Sequence, residues 1–150
     1  MGITLETEAF VALQRAANGL MEDITRLLKG YGLSPAQFNA LRILRGARPA
    51  SLTCGEVGDR LITRGPDVTR LLERMEKGGL VSRVRGTEDR RVVRVTISER
   101  GLDLLAQLDE PVTELHRKQF SALRERRTAS LVKLASALLA SRTAPDASKM

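Results

Sequence analysis

Residues 61–98 read LITRGPDVTRLLERMEKGGLVSRVRGTEDRRVVRVTIS, and the change of rhythm inside that stretch decides the fold. Residues 62–65 predict a tight turn. Pro66 is expected in the first turn of a helix that carries Val68, Leu71, Leu72 and Met75 on one face. Gly78-Gly79 ends it. The period then drops from 3.6 to 2. Residues 80–85 predict a short strand holding Val81 and Val84, residues 86–89 a turn, and residues 91–97 a second strand. Val93, Val95 and Ile97 fall on one side of that strand, with Val92, Arg94 and Thr96 on the other.

Upstream, Thr53-Cys54-Gly55-Glu56 has the Thr-x-x-Glu form of a capping box. A short helix follows, with Val57 and Leu61 on its buried side. Helix, turn and helix within about 25 residues is the size of a helix-turn-helix, and two strands behind it make a wing. Residues 34–46 predict another helix, opened by Ser34-Pro35 and carrying Phe38, Leu41 and Leu44. Residues 48–50 connect it onward. Residues 5–29 predict one long amphipathic helix, with Ala9, Leu13, Ala16, Leu20, Ile24 and Leu27 at intervals of three and four.

Downstream, Ser98 caps a helix with Leu102, Leu105, Leu108, Val112 and Leu115 as its stripe. Pro111 is expected to interrupt it. A last helix is expected over 122–140, with Leu123, Leu131, Leu134, Ala135 and Leu138 inward. The fold class is therefore mainly α with a small β-hairpin wing. Its parts are a winged helix-turn-helix lobe over 34–100, flanking helices at 1–30 and 101–142, and a flexible tail over 143–150, all in one domain of 150 residues.

Charge points to a partner. The formal net charge is +7. Residues 31–100 hold 14 basic and 8 acidic side chains and contribute +6 of it. A basic middle between near-neutral ends suits a polyanion. Aromatic residues are only 3%, which argues against stacking unpaired bases. The expected partner is double-stranded DNA. One histidine, one cysteine and scattered carboxylates offer no triad, phosphate loop or metal cluster, so neither catalysis, a cofactor nor a metal is expected. No apolar run approaches the length of a membrane span and no basic-then-apolar leader opens the chain, so a cytoplasmic location is expected.

On the second helix of the pair, Arg64, Asp67, Thr69, Arg70, Arg74 and Lys77 lie off the apolar stripe. Arginine can donate twice to guanine, and aspartate can accept from cytosine. Arg64, Asp67 and Arg70 are assigned to base edges, Pro66 to apolar contact, and Thr69 and Arg74 to phosphates. The competing reading is a solvated face on which Arg70 and Arg74 pair with Glu73 and Glu76. At the wing tip, Asp89, Arg90 and Arg91 suit a narrow minor groove, with Asp89 orienting a neighbouring arginine. The competing reading there is a charged turn that keeps a sheet edge soluble.

Residues 57–101 resemble the MarR family of bacterial regulators. The matching stretches are LITRGPDVTRLLERMEKGGLVSR and DRRVVRVTISERG. The second is similar to the family's wing signature, Asp-x-Arg followed by a strand, a Thr and a Gly. The order of the other helices matches too, so the resemblance covers essentially the whole chain. It implies a winged helix-turn-helix transcriptional regulator, more usually a repressor. It implies a homodimer in which first and last helices interlock, placed on a palindromic operator. It carries DNA reading onto residues 64–74, and the minor-groove role onto Arg91 with Asp89 as partner and Arg90 as competitor.

The resemblance also implies a small aromatic or acidic effector in a cleft lined by parts of the first, second and fifth helices. Phe38, Arg42, Tyr31 and His116 are candidates, none singled out by spacing, so no effector site is assigned. Two other readings stay open. One is a redox-sensing regulator using Cys54 at its helix N-terminus. The other is a nonspecific architectural DNA binder.

Overall fold

Thr4 starts the first helix: its hydroxyl accepts from the Thr7 N–H, and α1 runs Leu5–Lys29. The computed structural model describes residues 2–63 and 67–143. Ser34 and Gln37 cap each other reciprocally at the start of α2 (Pro35–Ala47). Thr53 and Glu56 do the same for α3 (Cys54–Arg60), and the Thr53 N–H holds the Glu56 carboxyl below its usual range. The helix α4 is Val68–Lys77. Its N-cap is Asp67, and Pro66, expected in the first turn, lies outside the described residues.

The wing strands are β2 (Val81–Arg85) and β3 (Val93–Ile97). A strand of two residues, β1 (Leu52–Thr53), adds to the far edge of β3. The sheet is therefore three-stranded, in the order β1-β3-β2, all antiparallel. A hairpin alone was expected. Two residues are too short for an alternation to declare itself, and Leu52 is a strand residue only because Val95 lies opposite it. Val93, Val95 and Ile97 face inward as the alternation predicts, with Val95 fully buried. Val81 and Val84 face opposite ways, and Val84 is exposed.

The chain forms two compact units, one through Thr113 and one from Glu114 onward. In the first, Phe38, Ala40, Leu41 and Leu44 of α2, Val57 of α3 and Leu71, Leu72 and Met75 of α4 are buried with Leu105 and Leu108 of α5 (Glu99–Phe120). This core is large enough to hold the lobe without cross-links. Only the last turns of α1 join it, through Ile24, Leu27 and Leu28. Residues 2–19 are exposed along their whole length.

The α5 helix runs through Pro111. The expected interruption is absent because one proline removes a single helical bond, while Leu108 and Val112 on either side of it are buried. In the second unit a 3-10 turn (Ser121–Leu123) leads into α6 (Arg124–Thr143). Leu134 and Leu138, expected inward, are exposed there. The unit is too small to cover both sides of its helix.

Within the first unit, Arg45 of α2 and Asp109 of α5 form a two-pronged pair, with both N···O distances 2.9 Å. The Arg45 guanidinium holds the Asp109 carboxyl below its usual range. A depressed carboxylate stabilises the fold above its unfolded value and loses that contribution as pH falls through the folded one. Both side chains are partly exposed, so the contribution is under about 1 kcal/mol. Asp109→Asn is therefore expected to be slightly less stable than the parent at neutral pH, and the gap to close in acid. Urea titrations at both pH values check this; a gap that persists in acid assigns the effect to shape instead of charge.

Candidate nucleic-acid interface

The α4 helix is amphipathic in the strict sense. Leu71, Leu72 and Met75 are buried, while Thr69, Arg70, Glu73, Arg74, Glu76 and Lys77 are exposed. Its N-cap, Asp67, adopts φ 52° and ψ 65°, the left-handed region. Aspartate enters that region more readily than most residues because its side chain bonds locally. Here one carboxylate oxygen accepts the Arg70 N–H at 3.1 Å and the other meets Arg70 Nε at 2.9 Å. Asp67, assigned to a base edge from sequence, thus caps the helix and braces Arg70. The Arg70 side chain stays 81% exposed, and beyond Nε it carries two terminal nitrogens. They are the pair of donors that guanine recognition needs.

The competing face pairing is not what forms. Glu73 and Glu76 pair with Arg83 of β2, at 3.7 and 3.4 Å. Arg74 makes no ion pair among the described residues and stays exposed. Arg64 and Pro66 lie outside the described residues. Arg83 lies beside this face and carries no assignment from the sequence. The available signal was its register, two residues after the buried Val81.

At the wing tip, the Gly86 N–H donates to the Val92 carbonyl at 2.8 Å and the Val92 N–H to the Asp89 carbonyl at 3.1 Å. A Cβ on Gly86 would lie 2.7 Å from the Asp89 carbonyl oxygen, so the turn needs glycine there. An Asp89 carboxylate oxygen accepts the Arg91 N–H at 2.9 Å. Asp89 therefore orders the Arg91 backbone, and the turn delays β3 to Val93 instead of residue 91. Arg90 and Arg91 are exposed and make no ion pair among the described residues.

The pieces converge. A cleft of about 490 Å³ is lined by Thr53, Cys54, Thr69, Arg83, Arg91 and Val92. It brings Thr69 of α4 and Arg91 of the wing, expected to touch the same duplex, into one opening. Cys54 is free and half-buried in its wall.

A second cleft, about 360 Å³, lies among α1, the start of α2 and the turn before α4, lined by Met21, Ser34, Pro35, Asn39, Leu61 and Ile62. Asn39 Oδ1 accepts the Ile62 N–H there at 2.8 Å. None of the effector candidates lines it. Phe38 is buried with the Arg42 guanidinium 5.8 Å from its ring centre. Tyr31 is half-buried, and His116, in the second unit, is exposed beside Gln119. Among the described residues no group of three His, Cys, Asp or Glu side chains could hold a metal, and no helix is long and apolar enough to cross a membrane.

Comparison with known proteins places the fold in a family. The family model for the MarR family matches residues 31–92. The chain is 30% identical over 116 residues to the HTH-type transcriptional repressor IacR of Pseudomonas putida, covering 77% of this chain and 68% of the repressor. The crystal structure of a MarR transcription factor from Planctomyces limnophilus is 34% identical, covers 91% of this chain and 98% of its own, and superposes with a TM-score of 0.71. The fold is shared with MepR of S. aureus, solved as a DNA complex, at 18% identity, with 93% and 99% covered and a TM-score of 0.79. The chain belongs to the MarR family of transcriptional regulators.

Proposed function

We propose that this regulator is a sequence-specific repressor that binds a palindromic operator as a homodimer, with a small aromatic or acidic effector weakening the complex. In this reading α4 enters the major groove. Arg70, braced by Asp67, reads a base edge, and Thr69 and Arg74 hold phosphates. Arg91 enters the adjacent minor groove with Arg90 beside it. Arg64 and Pro66 belong to the same reading surface. The observation that carries the reading is the cleft shared by Thr69 and Arg91.

Dimerisation is supported by unpartnered apolar side chains on both terminal helices. Ile3, Leu5, Phe10 and Leu13 are exposed on or just before α1, and Val132, Leu134, Leu138 and Leu139 on α6. Apolar surface of that extent marks an interface. A two-fold dimer matches a palindrome. The apolar cleft beside Asn39 and Ile62 is the proposed effector site. The protein's work is binding, not catalysis, and a cytoplasmic location follows from it.

One experiment tests the reading: selection of bound sequences from random duplex DNA, with and without phenolic acids, on protein whose mass is measured by light scattering. A dimer that enriches one palindrome by a factor on the order of 10³ over unrelated duplexes is expected. Equal affinity for all duplexes would make the chain an architectural binder. A monomer mass would remove the assigned role of the terminal helices.

A further inference from the structure

Arg83 breaks the pattern of its own strand. It sits across from Val95, fully buried, on the inward side of the sheet that Val81 also faces. The alternation calls for an apolar residue there. Instead an arginine side chain stands there, 16% exposed, with its Nε buried and lacking any hydrogen-bond partner among the described residues. A buried donor left unmade is unfavourable, and replacing such a charge by an apolar side chain of similar volume is often neutral or stabilising. Stability alone does not account for arginine at this position.

What arginine supplies is direction. Its terminal nitrogen reaches Glu73 at 3.7 Å and Glu76 at 3.4 Å, carboxylates three residues apart on α4. Glu76 also accepts the Arg83 backbone N–H at 3.2 Å. The apolar stripe of α4 turns its buried side to the core but sets the rotation only coarsely, because apolar contact is non-directional. Two carboxylates drawn to one guanidinium fix that rotation relative to the wing. The guanidinium also offsets part of their negative field. Free, they would stand on the same helix as Arg70 and Arg74 and repel phosphate.

We infer that Arg83 is a positioning residue for DNA reading: through Glu73 and Glu76 it sets the angle of α4 against the wing, so that α4 and Arg91 meet one duplex together. This rests on the reading of α4 as the recognition helix.

The test uses the full chain, its selected operator and a scrambled duplex of equal length, titrated by fluorescence anisotropy over a series of salt concentrations. Arg83→Met and the double variant Glu73→Gln/Glu76→Gln are compared with the parent. Both are expected to lower the operator-to-scrambled affinity ratio about 10-fold, the size of one mismatched base pair. They should move scrambled-DNA affinity in opposite directions, down for the lost cation and up for the lost carboxylates. The unfolding midpoint of Arg83→Met should not fall, and Arg83→Lys should recover part of the ratio.

An unchanged ratio in both variants would overturn the inference. So would a uniform loss on both duplexes with a salt slope reduced by about one phosphate, which would make Arg83 a phosphate contact. A loss of affinity that only tracks a loss of stability would overturn it as well. If Arg83→Met does not fold, the glutamine variant, altered only at exposed carboxylates, carries the test. A parent protein that does not distinguish the duplexes would instead remove the recognition-helix reading.

Discussion

Gly101→Ala is expected to destabilise the fold by about 3 kcal/mol, the upper end for overpacking a core. The reason lies in what an added methyl would meet. A Cβ there would lie 2.5 Å from the Leu80 carbonyl oxygen, 2.8 Å from Ile97 Cγ1 and 3.2 Å from Leu41 Cδ2. The carbonyl cannot easily yield, because it accepts the Ser98 N–H at 3.0 Å. The first turn of α5 must then lift off the sheet, and Leu105 and Leu108 lift with it. Urea unfolding measures the loss. A cost under about 1 kcal/mol would mean that the start of α5 shifts freely, against the close packing expected of such a core.

The second large effect belongs to the wing. Arg91→Ala is expected to weaken operator binding about 10-fold or more while leaving the fold intact, and Arg90→Ala to weaken it less. Arginine in a narrow minor groove gains from the concentrated negative potential there. Arg91, unlike Arg90, lines the cleft that also holds Thr69. Both side chains are exposed, so neither truncation disturbs the core. A gel-shift titration decides between them: equal losses would make the tip a diffuse cationic patch, and no loss from Arg91→Ala would remove the wing from the interface.

Much of this architecture is legible in the residues. The caps at Ser34 and Thr53 declare their helices because each hydroxyl has a backbone N–H within reach three residues on. The stripe Leu71, Leu72 and Met75 declares the buried side of α4, and Val93, Val95 and Ile97 that of β3. What escaped depends on distance in the chain. Leu52 becomes a strand only opposite Val95. Arg83 finds its carboxylates seven and ten residues away across a turn, where helical spacing predicts none of it. Asp67 is a base-edge candidate by residue type, and only the fold shows that its own helix engages both carboxylate oxygens. Leu134 and Leu138 carry an apolar pattern that says they need cover without saying what supplies it.

Ser98 joins three elements at one point. Its hydroxyl donates to the Gly79 carbonyl at 2.6 Å and accepts the Gly101 N–H at 3.0 Å, while its N–H donates to Leu80. The end of α4, the start of β2 and the start of α5 are thereby stitched at the base of the hairpin. On the proposed reading the wing would meet DNA with its root already ordered, so the conformational entropy lost on docking would fall on exposed tip side chains such as Arg90 and Arg91. A short ordered-at-the-root arm gives up little freedom on binding, and what it gains from DNA is kept as affinity.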